Sequence, residues 1–311
     1  MSPTFLTLPD GARIAYELLG PEWSGHSEPI VFVGGVSSTR EDWQRLAQPL
    51  SMKRPVLIYD HRGIGESSYS TASKDDDITI ELMARDLLLL LQFLKFSEIA
   101  LCGFSMGGAV TQQLLLLPYL ASDPVTLPFK VTSVFLTGTF PTMWEEKGYG
   151  LKLDRTPITG PLTDEEKKAR ARPNLERSFD PEWVADPANQ DRFNWWLDRQ
   201  IVGRPLHTII KQSRANAQVA HMKLYGYEQI PKSTHFLIIH GEKDAIVPFS
   251  NAAKLLRVIA QASFIQTGFE PGQIPTLAFG HHWWEYFDIE VWINVIETFL
   301  SSRDFQQQSK L

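Results

Sequence analysis

The stretch Ile99-Ala100-Leu101-Cys102-Gly103-Phe104-Ser105-Met106-Gly107-Gly108-Ala109-Val110 passes from one apolar segment, through a serine set among glycines, into a second. The first segment is short and apolar, as a buried strand requires. The second continues to Tyr119 with apolar residues at three- and four-residue spacing, as a helix does. A strand that becomes a helix within so few residues brings two backbones close together. Gly103 and Gly107 are small at that approach, and Ser105 is left at the tip in the strained setting of a nucleophile elbow. The Met106 amide, at the helix N-terminus, would face negative charge developing on a substrate oxygen.

Outward from this step the β–α alternation recurs. Apolar runs at Ile30 to Val33, Val56 to Tyr59, Ile99 to Leu101 and Phe236 to Ile239 each precede a helical pattern. Such near-continuous runs suit a parallel sheet covered on both faces. Val131 to Leu136 reads as a further strand and Thr276 to Phe279 as the last. Phe5 to Leu8 and Arg13 to Leu18 flank Pro9-Asp10-Gly11, the mark of an antiparallel hairpin. Helices are expected at Glu41 to Leu50, Ile80 to Leu94, Met106 to Tyr119, Asn251 to Ala262 and Trp284 to Leu300. The fold class is therefore α/β: a mostly parallel central sheet, an antiparallel N-terminal hairpin, and helices on both faces. The alternation breaks between Phe140 and Lys232, where helical stretches at Asp164 to Ala171 and Asp191 to Gln200 point to an inserted helical cap. The expected division is a core of residues 1–140 and 233–302, a cap of 141–232, and a flexible tail of 303–311.

A serine hydroxyl at neutral pH needs a base, and the base needs an orienting acid. Asp244 lies in the loop after the Phe236 to Ile239 strand, and Gly280-His281-His282 follows the expected last strand. Either His281 or His282 could serve as the base. His240 closes a buried strand, and His207 and His221 fall in the cap. Asp60, Asp86 and Asp288 read as structural carboxylates, and Cys102 as a small buried side chain.

Taken together, the Asp10-Gly11 hairpin, Asp60-His61-Arg62-Gly63-Ile64-Gly65-Glu66-Ser67, the Ser105 step, the Asp244 loop and Gly280-His281 resemble the α/β-hydrolase fold family. The likeness is to its esterase and lipase type with a helical cap, and it covers nearly the whole chain. The order Ser105, Asp244, His281 is that family's order. The resemblance implies Ser105 as nucleophile, His281 as general base and Asp244 as its orienting acid. It favours His281 over His282 because Gly280-His281 with Glu285 four positions on resembles the family's Gly-His, short spacer and Glu; His282 then becomes a packing or supporting residue. It further implies an oxyanion hole from the amides of Met106 and Val36, with Ser37 the alternative to Val36. The family's His-Gly pair after the first central strand is replaced by Gly34-Gly35. A serine at the elbow argues against the relatives that attack through a carboxylate.

The implied activity is cleavage of a carboxylic ester or thioester through an acyl-enzyme. The alternatives are acyl transfer or a biosynthetic step of a peroxisomal secondary-metabolite pathway with the same triad, and ligand binding without turnover. Trp144, Trp183, Trp195, Trp196, Phe179, Phe193, Tyr225 and Tyr227 could line an apolar acyl pocket or pack the cap itself. In Asp164-Glu165-Glu166-Lys167-Lys168-Ala169-Arg170-Ala171-Arg172 the helical spacing pairs Asp164 with Lys168 and Glu166 with Arg170. That pattern suits a solvated helix face better than a phosphate site for acyl-CoA.

A net charge of -6 and a pI near 5.8 give no electrostatic reason to bind nucleic acid. One cysteine supports neither an internal disulfide nor a thiolate metal site, and no cofactor or metal is implied. No apolar run approaches the length of a transmembrane segment. Ser309-Lys310-Leu311 matches the tripeptide read by the peroxisomal import receptor. The expected location is therefore the peroxisome, or otherwise the cytoplasm, and the other expected partner is a small-molecule ester or thioester substrate.

Overall fold

Strands β1 (Thr4–Thr7) and β2 (Arg13–Leu19) pair antiparallel across the Pro9-Asp10-Gly11 turn. There Asp10 accepts the Ala12 amide at 3.0 Å and Gly11 adopts a φ of 83°. In the computed structural model, which describes residues 3–72, 75–152, 160–219 and 226–308 (side chains to residue 302), this hairpin is the edge of an eight-stranded sheet. The remaining strands are β3 (Ile30–Val33), β4 (Val56–Tyr59), β5 (Glu98–Phe104), β6 (Lys130–Thr137), β7 (His235–Ile239) and β8 (Ala262–Phe264). The order is β1-β2-β4-β3-β5-β6-β7-β8, with β2 antiparallel to β4 and every later pair parallel. The tripeptide Ser309-Lys310-Leu311, and His221 and Tyr225 of the cap, lie outside the described residues.

The central strands are apolar throughout because successive side chains serve two different cores. Val31 and Val33 join the cluster under α2 (Ile80–Leu94) and α3 (Met106–Leu116), whereas Ile30 and Phe32 join the one under α1 (Gln44–Leu50). Helix α2 begins as its sequence dictates, with the Thr79 hydroxyl accepting the Leu82 amide at 3.0 Å. The chain leaves β3 for β4 on one side and returns to β5 on the other. The carboxyl ends of β3 and β5 therefore diverge into a crevice, the usual ligand position in an open α/β sheet.

Two sequence expectations need correction here. Thr276 to Phe279 is not a strand. Its backbone is spent on local turns and on the loop after β7: Leu277 O accepts the Glu242 amide at 2.9 Å and Phe279 O that of Lys243 at 3.2 Å. The last strand is instead the three-residue β8, which begins at Ala262, the expected end of a helix that stops earlier, as α8 (Ser250–Val258). The second correction concerns the last helix, which runs over Ile289–Gln308 as α9 rather than from Trp284 to Leu300.

Between β6 and β7 the described residues form α4 (Asp164–Ser178), α5 (Pro181–Ala185), α6 (Gln190–Arg199) and α7 (Leu206–Gln218), with no strand among them. In the first turns of α4 the acids and bases pair at three-residue spacing, Lys167 with Asp164 at 2.7 Å and Lys168 with Glu165 at 3.4 Å, whereas Arg172 and Glu176 pair at four. Glu166 is diverted into a capping box with Thr163. These helices are tied to the core by a buried carboxylate. Glu285 receives Arg192 of α6 at 2.6 and 2.8 Å, and Arg45 of α1 at 3.1 Å. Phe179 stacks on Trp183 at 4.1 Å, and Trp196 on His282 at 4.5 Å. Most of the cap aromatics thus pack the seam, while Trp144 and Trp196 also reach the cavity beneath it.

Candidate active site

Ser105 occupies the turn from β5 into α3 with φ 54° and ψ -123°, a backbone state that L-residues rarely adopt. Its surroundings hold it there. The Ser105 amide donates to Thr137 O of β6 at 2.9 Å, and its carbonyl accepts from Gly108 N–H at 3.0 Å and the Thr139 hydroxyl at 2.6 Å. The start of α3 presses directly on the end of β3: a Cβ on Gly107 would lie 2.0 Å from Val33 O. Only glycine permits that approach.

Asp244 and His281 meet at the same edge. His281 Nδ1 lies 2.7 Å from Asp244 Oδ2, and both side chains are buried. Asp244 Oδ1 accepts the amides of Ile246 and Val247, both at 2.8 Å, so the carboxylate is fixed on both oxygens. Burial pushes the Asp244 carboxyl up, but His281 and His240 beside it outweigh that and hold it below the ordinary carboxylate range. With Nδ1 engaged, Nε2 is the ring nitrogen left to act. Ser105 and His281 line one cavity of about 320 Å³, roofed by the cap. His282 does not share the Asp244 contact. Its ring lies against Trp196, and burial pushes its pKa far down, which keeps it neutral.

The loop after β3 forms the facing wall. Gly35 to Ser38 is a four-residue turn closed by the Ser38 amide on Gly35 O at 3.2 Å, with Ser37 at a φ of 63°. The Ser37 amide is already given to Gln212 Oε1 of α7 at 2.8 Å. Neither the Val36 nor the Met106 amide is used by another described residue, so of the two loop amides Val36 is the free donor. The Gly34 carbonyl lies 3.0 Å from His61 Nε2, and burial lowers the pKa of that imidazole to about 4. A histidine from the loop after β4 thus reaches the stretch where the family's own histidine is missing.

The other acids and bases are scaffold. Asp60 takes the Arg40 guanidinium at 2.5 Å, Arg62 binds Asp86 at 2.7 and 2.9 Å, and Asp288 caps α9 by accepting the Glu290 amide at 2.9 Å. Cys102 is fully buried in β5, where burial raises its thiol pKa. The residues that sequence reasoning missed all belong to the roof. Arg204 and Gln212 grip Ser37, and Asn174, Ser213 and Asn216 line the cavity. Arg204 and Gln212 lie 167 and 175 positions from Ser37, with no local pattern to announce them.

A sequence model of the Alpha/beta hydrolase family matches residues 30–284. Among curated proteins the chain is similar to the AB hydrolase superfamily protein YisY of Bacillus subtilis, at 24% identity over 78% of this chain and 83% of that one. It is equally similar to 3-oxoadipate enol-lactonase 1 of Acinetobacter baylyi, at 24% identity over 79% and 81%. Among solved structures, an esterase from Exiguobacterium antarcticum superposes with a TM-score of 0.69, at 22% identity over 96% of this chain and 99% of that one. That likeness is one of fold.

Proposed function

This chain belongs to the Alpha/beta hydrolase family, and on that premise we propose that it is a serine hydrolase cleaving a small, uncharged carboxylic ester or lactone through an acyl-enzyme. The observation that carries this reading is the buried His281–Asp244 pair, 2.7 Å apart, opening on the same cavity as the strained Ser105. In the proposed cycle His281 Nε2 takes the Ser105 proton as Oγ adds to the substrate carbonyl. The amides of Met106 and Val36 hold the resulting oxyanion. Collapse expels the alkoxide, which leaves with the proton from His281. Water, activated by the same imidazole, then adds to the acyl-enzyme and releases the acid. Asp244 keeps the imidazole in the tautomer that makes each transfer possible.

The substrate class follows from the cavity. A volume near 320 Å³ suits a short acyl group rather than a long chain. Among the described residues the two charged ones on its wall, Asp42 and Arg204, neutralise each other at 2.6 Å, which favours an uncharged substrate. The relatives whose names denote an esterase and an enol-lactonase are in keeping with ester chemistry on this fold.

Labelling with a fluorophosphonate, read by intact mass and peptide mapping, tests the nucleophile. One adduct on Ser105 is expected, absent from Ser105→Ala and His281→Ala. Turnover of p-nitrophenyl acetate or butyrate should fall about 10⁴-fold or more in Ser105→Ala. Wild-type turnover in that variant, or an unlabelled folded protein, would overturn the assignment. A rate that climbs steadily from acetate to long-chain esters would overturn the small-substrate reading alone.

A further inference from the structure

We propose that Gln212 and Arg204 of the cap are positioning residues for the oxyanion hole: by clamping Ser37 they hold the Val36 amide on target, so that chemistry requires a seated cap. The inference rests on the serine-hydrolase reading above and assigns it a mode of control.

Both sides of Ser37 are gripped from the cap. Gln212 Oε1 accepts its amide at 2.8 Å, and the Arg204 guanidinium donates to its carbonyl. Arg204 is itself locked, with Nη2 on Asp42 Oδ1 at 2.6 Å and Nε on Arg199 O at 2.8 Å, and its side chain is 2% exposed. It therefore bridges the end of α6 to the capping box of Thr39 and Asp42 in the core.

The turn needs such a grip. Ser37 stands third in a four-residue turn at a φ of 63°, a place that glycine fills without strain and serine does not. Left to itself, a serine there relaxes toward negative φ, and the central peptide of the turn rotates with it. Residue 36 belongs to that same turn. An oxyanion donor contributes only when it is aimed, so rotation of the turn takes the Val36 amide out of use.

Gln212 also has a cost that its acceptor role explains. The residue is fully buried, and its Nε2 has no partner among the described residues. A leucine would fill the space without an orphaned amide. The glutamine contributes what leucine lacks, an oxygen for the Ser37 amide.

The test compares kcat and KM for a short p-nitrophenyl ester in wild type, Gln212→Leu and Gln212→Glu, alongside thermal melting. Gln212→Leu is expected to lower kcat by about 10- to 100-fold, with KM within about twofold of wild type. Gln212→Glu, which keeps an acceptor oxygen in either protonation state, is expected to recover most of that loss. If Gln212→Leu does not fold, Gln212→Asn, one methylene too short to reach Ser37, makes the same comparison. A truncated variant with kcat within twofold of wild type would overturn the clamp. So would a loss confined to KM, or one that Gln212→Glu does not restore. Failure of the underlying reading looks different: Ser105→Ala would still turn over, whatever residue stands at 212.

Discussion

Replacing Arg192 with leucine tests what seats the cap. The Glu285 side chain is completely buried and receives three charge-assisted bonds, two from Arg192 at 2.6 and 2.8 Å and one from Arg45 at 3.1 Å. The variant removes the two shorter ones and leaves a buried carboxylate with its longest contact. Breaking one side of a buried pair costs about 3–5 kcal/mol. The lower end applies because the Arg192 side chain keeps 25% exposure. The stacking of its guanidinium over Trp195 at 3.9 Å is lost too, about 0.5–1 kcal/mol more. A loss of about 3.5–4 kcal/mol against a typical total of about 5–15 kcal/mol leaves a folded protein. At roughly 2 °C per kcal/mol for a chain of this length, its melting temperature should fall by about 7–8 °C. Urea unfolding and thermal melting measure the loss, and limited proteolysis should cut first between residues 140 and 232. The double variant Arg192→Leu with Glu285→Leu should regain much of the stability, because no buried charge is then stranded. Refutation would be a single variant within about 0.5 kcal/mol of wild type, or a double variant less stable than the single.

Three further outcomes follow from the same geometry. In Asp244→Asn the side-chain oxygen stays on the Ile246 and Val247 amides, which turns the NH₂ toward His281 Nδ1 and forces the ring proton onto Nε2. Turnover at neutral pH should drop about 10⁴-fold with the fold intact, and kinetics beside circular dichroism check both halves. Because the Asp244 carboxyl is held below its ordinary range in the folded state, its stabilisation is complete above about pH 4 and is lost as pH falls through the folded value. The stability gap between wild type and Asp244→Asn should therefore be flat from pH 5 to 8 and shrink in more acid urea titrations; an equal gap at pH 3 would contradict the sign. Gly107→Ala would place a Cβ 2.0 Å from Val33 O, so it should cost about 2 kcal/mol or more in urea unfolding and slow fluorophosphonate labelling of Ser105.

The sheet was legible wherever burial on both faces left a mark on the sequence. Ile30 to Val33, Val56 to Tyr59 and the helix Ile80 to Leu94 carry their boundaries in plain composition, and the structure has those same limits. Ala262–Phe264 did not stand out, because three residues after a helix offer no periodicity to read. Thr276 to Phe279 misled because its apolar residues are real, while its backbone serves the loop that carries Asp244. Ser105 and Asp244 could be named because each follows a strand end with its own local signature, and His281 because of its Gly280-His281 step, although no strand directly precedes it. Arg192, Arg204 and Gln212 could not, since each acts on a partner 93 or more residues away and looks locally like any polar helix residue.

Every residue of α3, from Met106 to Leu116, is buried. A helix without a solvent face has no cheap way to open, so its amides should exchange with deuterium only when the whole molecule unfolds. Ser105 should thus sit beside slowly exchanging amides, whereas Gln212 and Arg204 belong to the segment inserted between β6 and β7, whose exchange is expected to be faster. In exchange experiments the two should separate into distinct cooperative units, the proposed nucleophile in one and the proposed clamp on its oxyanion hole in the other.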